Sequence, residues 1–98
     1  EDPDLLALAT MNVAEALGGT GELLRAEAMA RKALAHFTNT GNDWRRAECE
    51  RILGDLERWA EHDTAARRWW IGALATARLI GAHSEILKLE ERLGAHAE

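Results

Sequence analysis

The chain has 98 residues, 47% of them apolar and 30% charged, and carries a net charge of −5 with a pI near 5.4. That length makes one domain with a modest core, and the composition is that of a folded chain rather than a disordered one. The acidic balance argues against nucleic acid as a direct ligand. No apolar run approaches the roughly 18–20 residues that cross a bilayer, and no signal peptide is visible.

Other composition features point the same way. The one proline is Pro3, so nothing interrupts helices beyond the first turn. Valine, isoleucine and threonine are few while alanine and leucine abound, which favours an all-α chain. Arginine far outnumbers lysine, a bias in keeping with a GC-rich bacterial genome. A single cysteine, Cys49, excludes an internal disulfide and suits a reducing cytoplasm; its register with Ile52, Leu53 and Leu56 makes it a buried thiol. The opening Glu-Asp-Pro, without an initiator methionine, reads as a piece of a longer protein.

In chain order, helix 1 should start near Asp2 or Asp4 and end at Gly18-Gly19, with Leu6, Ala9, Val13, Ala16 and Leu17 as its inward stripe. Thr20 is placed to cap helix 2, which turns Leu23, Ala26, Met29, Ala30, Ala33, Leu34 and Phe37 inward and stops at Gly41. Asn42 or Asp43 caps helix 3, whose core face is Ala47, Cys49, Ile52, Leu53, Leu56 and Ala60. Asp63 should cap helix 4, with Ala66, Trp70, Ala73, Leu74, Ala77 and Ile80 inward and Gly81 as its stop. Helix 5 opens at His83 or Ser84, presents Ile86, Leu87, Leu89 and Leu93, and closes at Gly94; residues 95–98 should fray. Loops this short force consecutive helices into antiparallel hairpins.

The strongest single signal is self-similarity. Ala26, Ala33, Leu34 and Gly41 recur as Ala66, Ala73, Leu74 and Gly81, and Leu53 and Gly54 recur as Leu93 and Gly94, all at an offset of 40 positions. Small residues at a fixed period mark places where backbones approach closely in the same way twice. Ala14 or Gly54 should let the two helices of a pair cross closely, with Ala26 or Ala66 at the contact. Ala33 and Ala73 should set the distance to the next helix.

This arrangement resembles the tetratricopeptide repeat over nearly the whole chain, in a form longer than the usual 34 residues. It is similar to the repeats of kinesin light chains and of large bacterial ATP-binding transcription activators. It departs from the pattern in lacking the aromatic that ends the first helix of a unit, where Leu17 and Glu57 stand, and the proline after the second. The resemblance implies a short right-handed solenoid of five helices spanning residues 1–98 as one domain. Its first unit would run from about 4 to 41, its second from about 42 to 81, and a half unit from about 83 to 94.

In that family the first helix of each pair lines a concave groove. Carried over, the lining is Leu8, Met11, Asn12 and Glu15, then Glu48, Arg51, Asp55, Arg58 and Trp59, then Lys88 and Glu91. Glu48, Arg51, Asp55 and Arg58 alternate in sign, which suits either a solvated face of weak ion pairs or a partner-binding groove. Met11 and Glu15 stand where chaperone-binding relatives keep a carboxylate clamp, so a C-terminal chaperone peptide is not expected. Of the four tryptophans, Trp70 belongs to the core and Trp69 lies half-buried between helices. Trp44 and Trp59 are the open ones, candidate aromatic anchors for a partner.

No catalytic constellation is present. His36, His62, His83 and His96 sit at or near helix ends without a paired ligand, and Gly18-Gly19-Thr20-Gly21 lacks the lysine of a phosphate loop. No cofactor, metal or membrane is implied. The expectation is a non-enzymatic, cytoplasmic, protein- or peptide-binding module of a bacterial regulatory protein; the alternative is a domain that senses a ligand or signalling peptide in a transcriptional regulator. Two and a half units leave apolar ends, with Leu5, Leu8 and the outer side of helix 5 exposed, so self-association or continuation of the array is expected.

Overall fold

Four turns of nearly one design divide the chain. The computed structural model describes residues 2–95 and places α1 at Pro3–Gly19, α2 at Leu23–Thr40, α3 at Asp43–Trp59, α4 at Asp63–Ile80 and α5 at His83–Ala95. No strand occurs among the described residues. Glu1 and residues 96–98, His96 among them, lie outside them; Ala95, expected in the frayed end, is still helical as the last residue of α5.

Each of the first four helices closes with the same bond. The amides of Glu22, Asn42, His62 and Ala82 donate to the carbonyls of Leu17, Phe37, Glu57 and Ala77 at 2.8–3.0 Å. That closure needs a left-handed residue just before it. Gly21, Gly41 and Gly81 supply it with φ of 91°, 74° and 69°, and Glu61 takes the same role at φ 65°.

At the helix starts, Asp2 accepts the amides of Asp4 and Leu5, and Asn42 accepts that of Arg45. Thr20 does not cap α2: its hydroxyl turns back to the Leu17 carbonyl, because it terminates α1 instead. Asp63 does not cap α4 either. It is already the first helical residue, after His62, and makes no capping bond.

Consecutive helices pack against each other, and α1 also meets α3 while α3 meets α5. Among the described residues α2 and α4 do not meet at the backbone level. The odd helices therefore form one continuous layer and the even ones a second, more open layer. Helices α3 and α4 cross where the 40-residue echo places small residues. A Cβ on Gly54 would stand 3.2 Å from the Ala66 carbonyl oxygen and about 2.5 Å from the Trp70 ring, so only glycine fits. Gly18, read from sequence only as a helix stop, is buried as well. A Cβ there would run into Leu56 and Trp59 of α3.

Two apolar clusters result. The first joins Ala7, Met11 and Ala14 of α1, Ala26, Ala30, Ala33 and Phe37 of α2, and Cys49, Ile52, Leu53 and Leu56 of α3. The second joins Ala66, Trp70, Ala73, Leu74 and Ala77 of α4 to Leu89 of α5, with Ile86 and Leu93 at its edge.

The inward faces of α2 and α3 agree with the periodicity, and those of α4 and α5 agree in part. That of α1 does not. It buries Ala7, Met11, Ala14 and Gly18, and leaves Leu6, Ala9, Val13 and Ala16 to solvent. A helix at the end of a stack has one face that meets its neighbours and another, equally apolar, that meets nothing. Ile80 and Leu87 are likewise exposed at the other end. Leu5 is exposed as expected, whereas Leu8 is half-buried against the first cluster.

Candidate functional site: the face of the odd helices

The side chains on the α1–α3–α5 layer meet in an ionic cluster whose centre, Arg51 with Asp55 and Glu85, is buried and whose rim, Glu15 and Lys88, is open. This residue is 3% exposed, and its guanidinium donates through Nε to Glu85 Oε1 at 2.8 Å and through Nη1 to Glu15 Oε2 at 3.1 Å. Asp55, one turn on in α3, approaches the same guanidinium at 3.5 Å. Asp55 also accepts the Trp70 indole N–H at 3.0 Å and a two-pronged bond from Arg92 at 2.5 and 2.9 Å. Lys88 stands 3.6 Å from Glu85. Three acids and three bases, drawn from α1, α3 and α5, thus neutralise one another beside the indole of Trp70 from α4.

Helix geometry explains why these groups converge. Arg51 and Asp55 are one turn apart on one face of α3, and Glu85, Lys88 and Arg92 follow on successive turns of one face of α5. Helix α4 returns the chain so that α5 runs parallel to α3 with the two faces together. Burial alone would make the Arg51 proton easier to lose. The bonds and charges of Glu85 and Glu15 outweigh it, and Arg51 holds its proton more firmly than a free arginine. Sequence reading offered a solvated face or an open groove for this series. Arg51 and Asp55 fit neither, since α5 closes over them.

The other predicted groove residues separate into four groups. Met11 is 3% exposed and part of the first apolar cluster, with Leu8 half-buried beside it, so these two are packing residues. Glu48 is held by Arg45 at 2.6 Å, and Arg58 lies 3.7 Å from Asp63 across the turn. Asn12, Glu15, Lys88 and Glu91 remain exposed along the layer. Trp59 is 48% exposed: part of its ring lies over the bare backbone of Gly18 in the α1/α3 seam, and the rest is open. Trp44, equally open, lies under the Arg45 guanidinium, 4.8 Å from its ring centroid. It borders a recess of about 320 Å³ formed with residues 80–84. Trp44 belongs to the N-terminal end of α3 and Trp59 to its C-terminal end, so the structure does not bring them together.

Sequence reasoning missed Glu85 and Arg92. A signal existed: Arg92 stands 40 positions after the buried Ile52, and a charged side chain at the register of a core residue demands a partner. Cys49 is fully buried, and burial, with Glu48 and Glu50 beside it, pushes its thiol from 9.0 up to about 12. Glu50 is raised above the usual carboxylate range by burial, which outweighs its pairing with Arg46. Among the described residues no group of three or more His, Cys, Asp and Glu could hold a metal ion. No helix among them is long and apolar enough to cross a membrane. Comparison with family models, curated proteins and solved structures finds no match to this chain.

Proposed function

We propose that this chain is a protein-interaction scaffold of the tetratricopeptide-like kind, part of a bacterial regulatory protein in the cytoplasm and without enzymatic activity. It takes a protein or peptide partner along the α1–α3–α5 layer. Trp59 carries this reading. A large aromatic whose ring is pinned on Gly18 loses little further freedom on binding, and the open half offers apolar area to a partner. The neutralised cluster beneath is a rigid floor. Polar contacts come from the exposed Asn12 and Glu91 and from the open sides of Glu15 and Lys88 at the rim of the cluster.

Peptides selected from a displayed random library against the whole chain test this. Binders should lose at least tenfold in affinity on Trp59→Ala and be unaffected by Leu79→Ala at the far end of α4. An empty selection, or binders indifferent to Trp59, would sink the proposal.

A second reading, a domain that senses a small ligand or signalling peptide, is favoured by the recess beside Trp44, whose walls are the α4–α5 turn and the start of α3. Quenching of Trp44 fluorescence by a ligand that also raises the melting temperature would favour it over the scaffold.

A further inference from the structure

In each helix hairpin the start of the odd helix lies near the end of the even one, and the chain builds this junction in two ways. In the first hairpin Asp4 Oδ1 and His36 Nε2 stand 2.7 Å apart and tie α1 to α2. Forty positions on, Asp4 becomes Trp44, His36 becomes Thr76 and Thr40 becomes the half-open Ile80. The ionic tie is gone, and a recess of about 320 Å³ lies between Trp44 and the α4–α5 turn. That volume is in the range of small-molecule sites.

The Trp44 ring is fixed before anything arrives. The Arg45 guanidinium lies over it at 4.8 Å and is itself anchored by Glu48 at 2.6 Å. A held, half-open indole loses little freedom on stacking a second ring. Ile80 and Ala82 add apolar wall, while the groups at the other side, His83 and Ser84, supply hydrogen-bond donors. Ala82 has no side chain to cap the first amides of α5, as Asp2 and Asn42 do for α1 and α3, so an acidic group is welcome there. The carboxylates nearest in the chain do not oppose it: Glu48 is taken by Arg45 and Asp43 by Arg46 at 3.4 Å.

We propose that this recess binds a small planar aromatic acid, its ring stacked on Trp44 and its acidic group at His83 and Ser84. The assignment rests on the second reading above and gives the sensed ligand a chemical class. It is independent of partner binding at Trp59, which lies at the other end of α3.

The test follows the indole N–H resonances of the isotopically labelled 98-residue chain, with Trp44→Phe to identify the Trp44 signal. Indole-3-acetate, indole-3-ethanol and tryptamine present one ring with an acidic, a neutral and a basic group. Cyclohexylacetate presents the acid without a planar ring. Indole-3-acetate should shift the Trp44 signal saturably and leave that of Trp59 in place. Indole-3-ethanol should bind more weakly, tryptamine more weakly still, and cyclohexylacetate not at all. By titration calorimetry Trp44→Leu should weaken indole-3-acetate about tenfold, the worth of one stacked aromatic pair. Trp44→Asp with Thr76→His rebuilds the tie of the first hairpin and should abolish binding while the chain still melts cooperatively. Binding undiminished by Trp44→Leu would place the site elsewhere and overturn the proposal. Tryptamine or cyclohexylacetate binding as tightly as indole-3-acetate overturns the ligand class but leaves the second reading standing. Silence of the Trp44 signal toward every probe overturns the proposal, and the second reading falls with it only if metabolite and peptide sets also leave the melting temperature unmoved.

Discussion

Met11 and Arg51 stand at the same place in successive units and are equally buried, at 3% exposure, yet they are held by opposite chemistry. Met11 is surrounded by the alanines, leucines and Phe37 of the first cluster. Arg51 is surrounded by Glu85, Glu15 and Asp55. The backbone frame tolerates both, because a helix of this type needs a filled volume at that point and does not specify with what. The consequences differ. An apolar junction adapts to small shifts, since dispersion and burial are not directional. An ionic one holds a single register, since its bonds weaken steeply with distance and angle and each unpaired member is costly. The packing around Met11 is therefore adaptable, and the docking of α5 on Arg51 and Asp55 is orientation-specific.

The largest expected effect tests that contrast directly. Arg51→Ala leaves Glu85 buried with only Lys88 beside it and should cost about 3–5 kcal/mol by chemical denaturation. Arg51→Met with Glu85→Leu, which gives the second junction the chemistry of the first, should recover most of that loss. A double variant as unstable as the single one would mean that the frame does demand charge there.

Close approach ranks next. Gly54→Ala pushes a methyl into Trp70 and the Ala66 carbonyl and should cost about 1–3 kcal/mol. Gly72→Ala, inside α4 with nothing within 4 Å, should instead stabilise by about 0.5–1 kcal/mol through the lower entropy of the unfolded chain. Opposite signs in thermal melts are the expected result.

The turns offer a smaller contrast. Gly21 and Glu61 occupy the same left-handed position in the two units, and a side chain there strains the backbone by about 1–2 kcal/mol. Glu61→Gly should recover about 1 kcal/mol, seen as a higher melting temperature.

Glu50 provides the smallest effect and a pH dependence. Its folded pKa lies above the unfolded value of 4.5, so the proton binds the folded state more tightly. The stability this contributes is complete below pH 4.5 and is lost as pH rises through the folded pKa. Glu50→Gln, which cannot ionise, should therefore be more stable than the parent at neutral pH. The two should converge below pH 4.5; a difference that stays constant with pH would trace the effect to Arg46 pairing instead.

Much of the fold was legible because it rests on local rules. Alanine and leucine spacing, the lone Pro3 and the glycine stops at Gly41 and Gly81 predicted five helices. The 40-residue echo of Gly54 and Ala66 located the crossing of α3 and α4. The turn regularity went unread at Glu61, where a glutamate fills a glycine's role. The site was less legible. Periodicity told that α1 has an apolar stripe, but a stripe at the end of a stack looks the same whether it is covered or open.

The residues by themselves therefore determined which segments are helical, where they stop and which small side chains permit contact, because each depends on neighbours within a turn or two. Only the tertiary arrangement decided which face of α1 is inside, that α5 closes over Arg51 and Asp55, and that Trp59 rests on Gly18. Those outcomes depend on pairs far apart in sequence, such as Arg51 with Glu85, Asp55 with Arg92 and Gly18 with Trp59, which no local pattern can join.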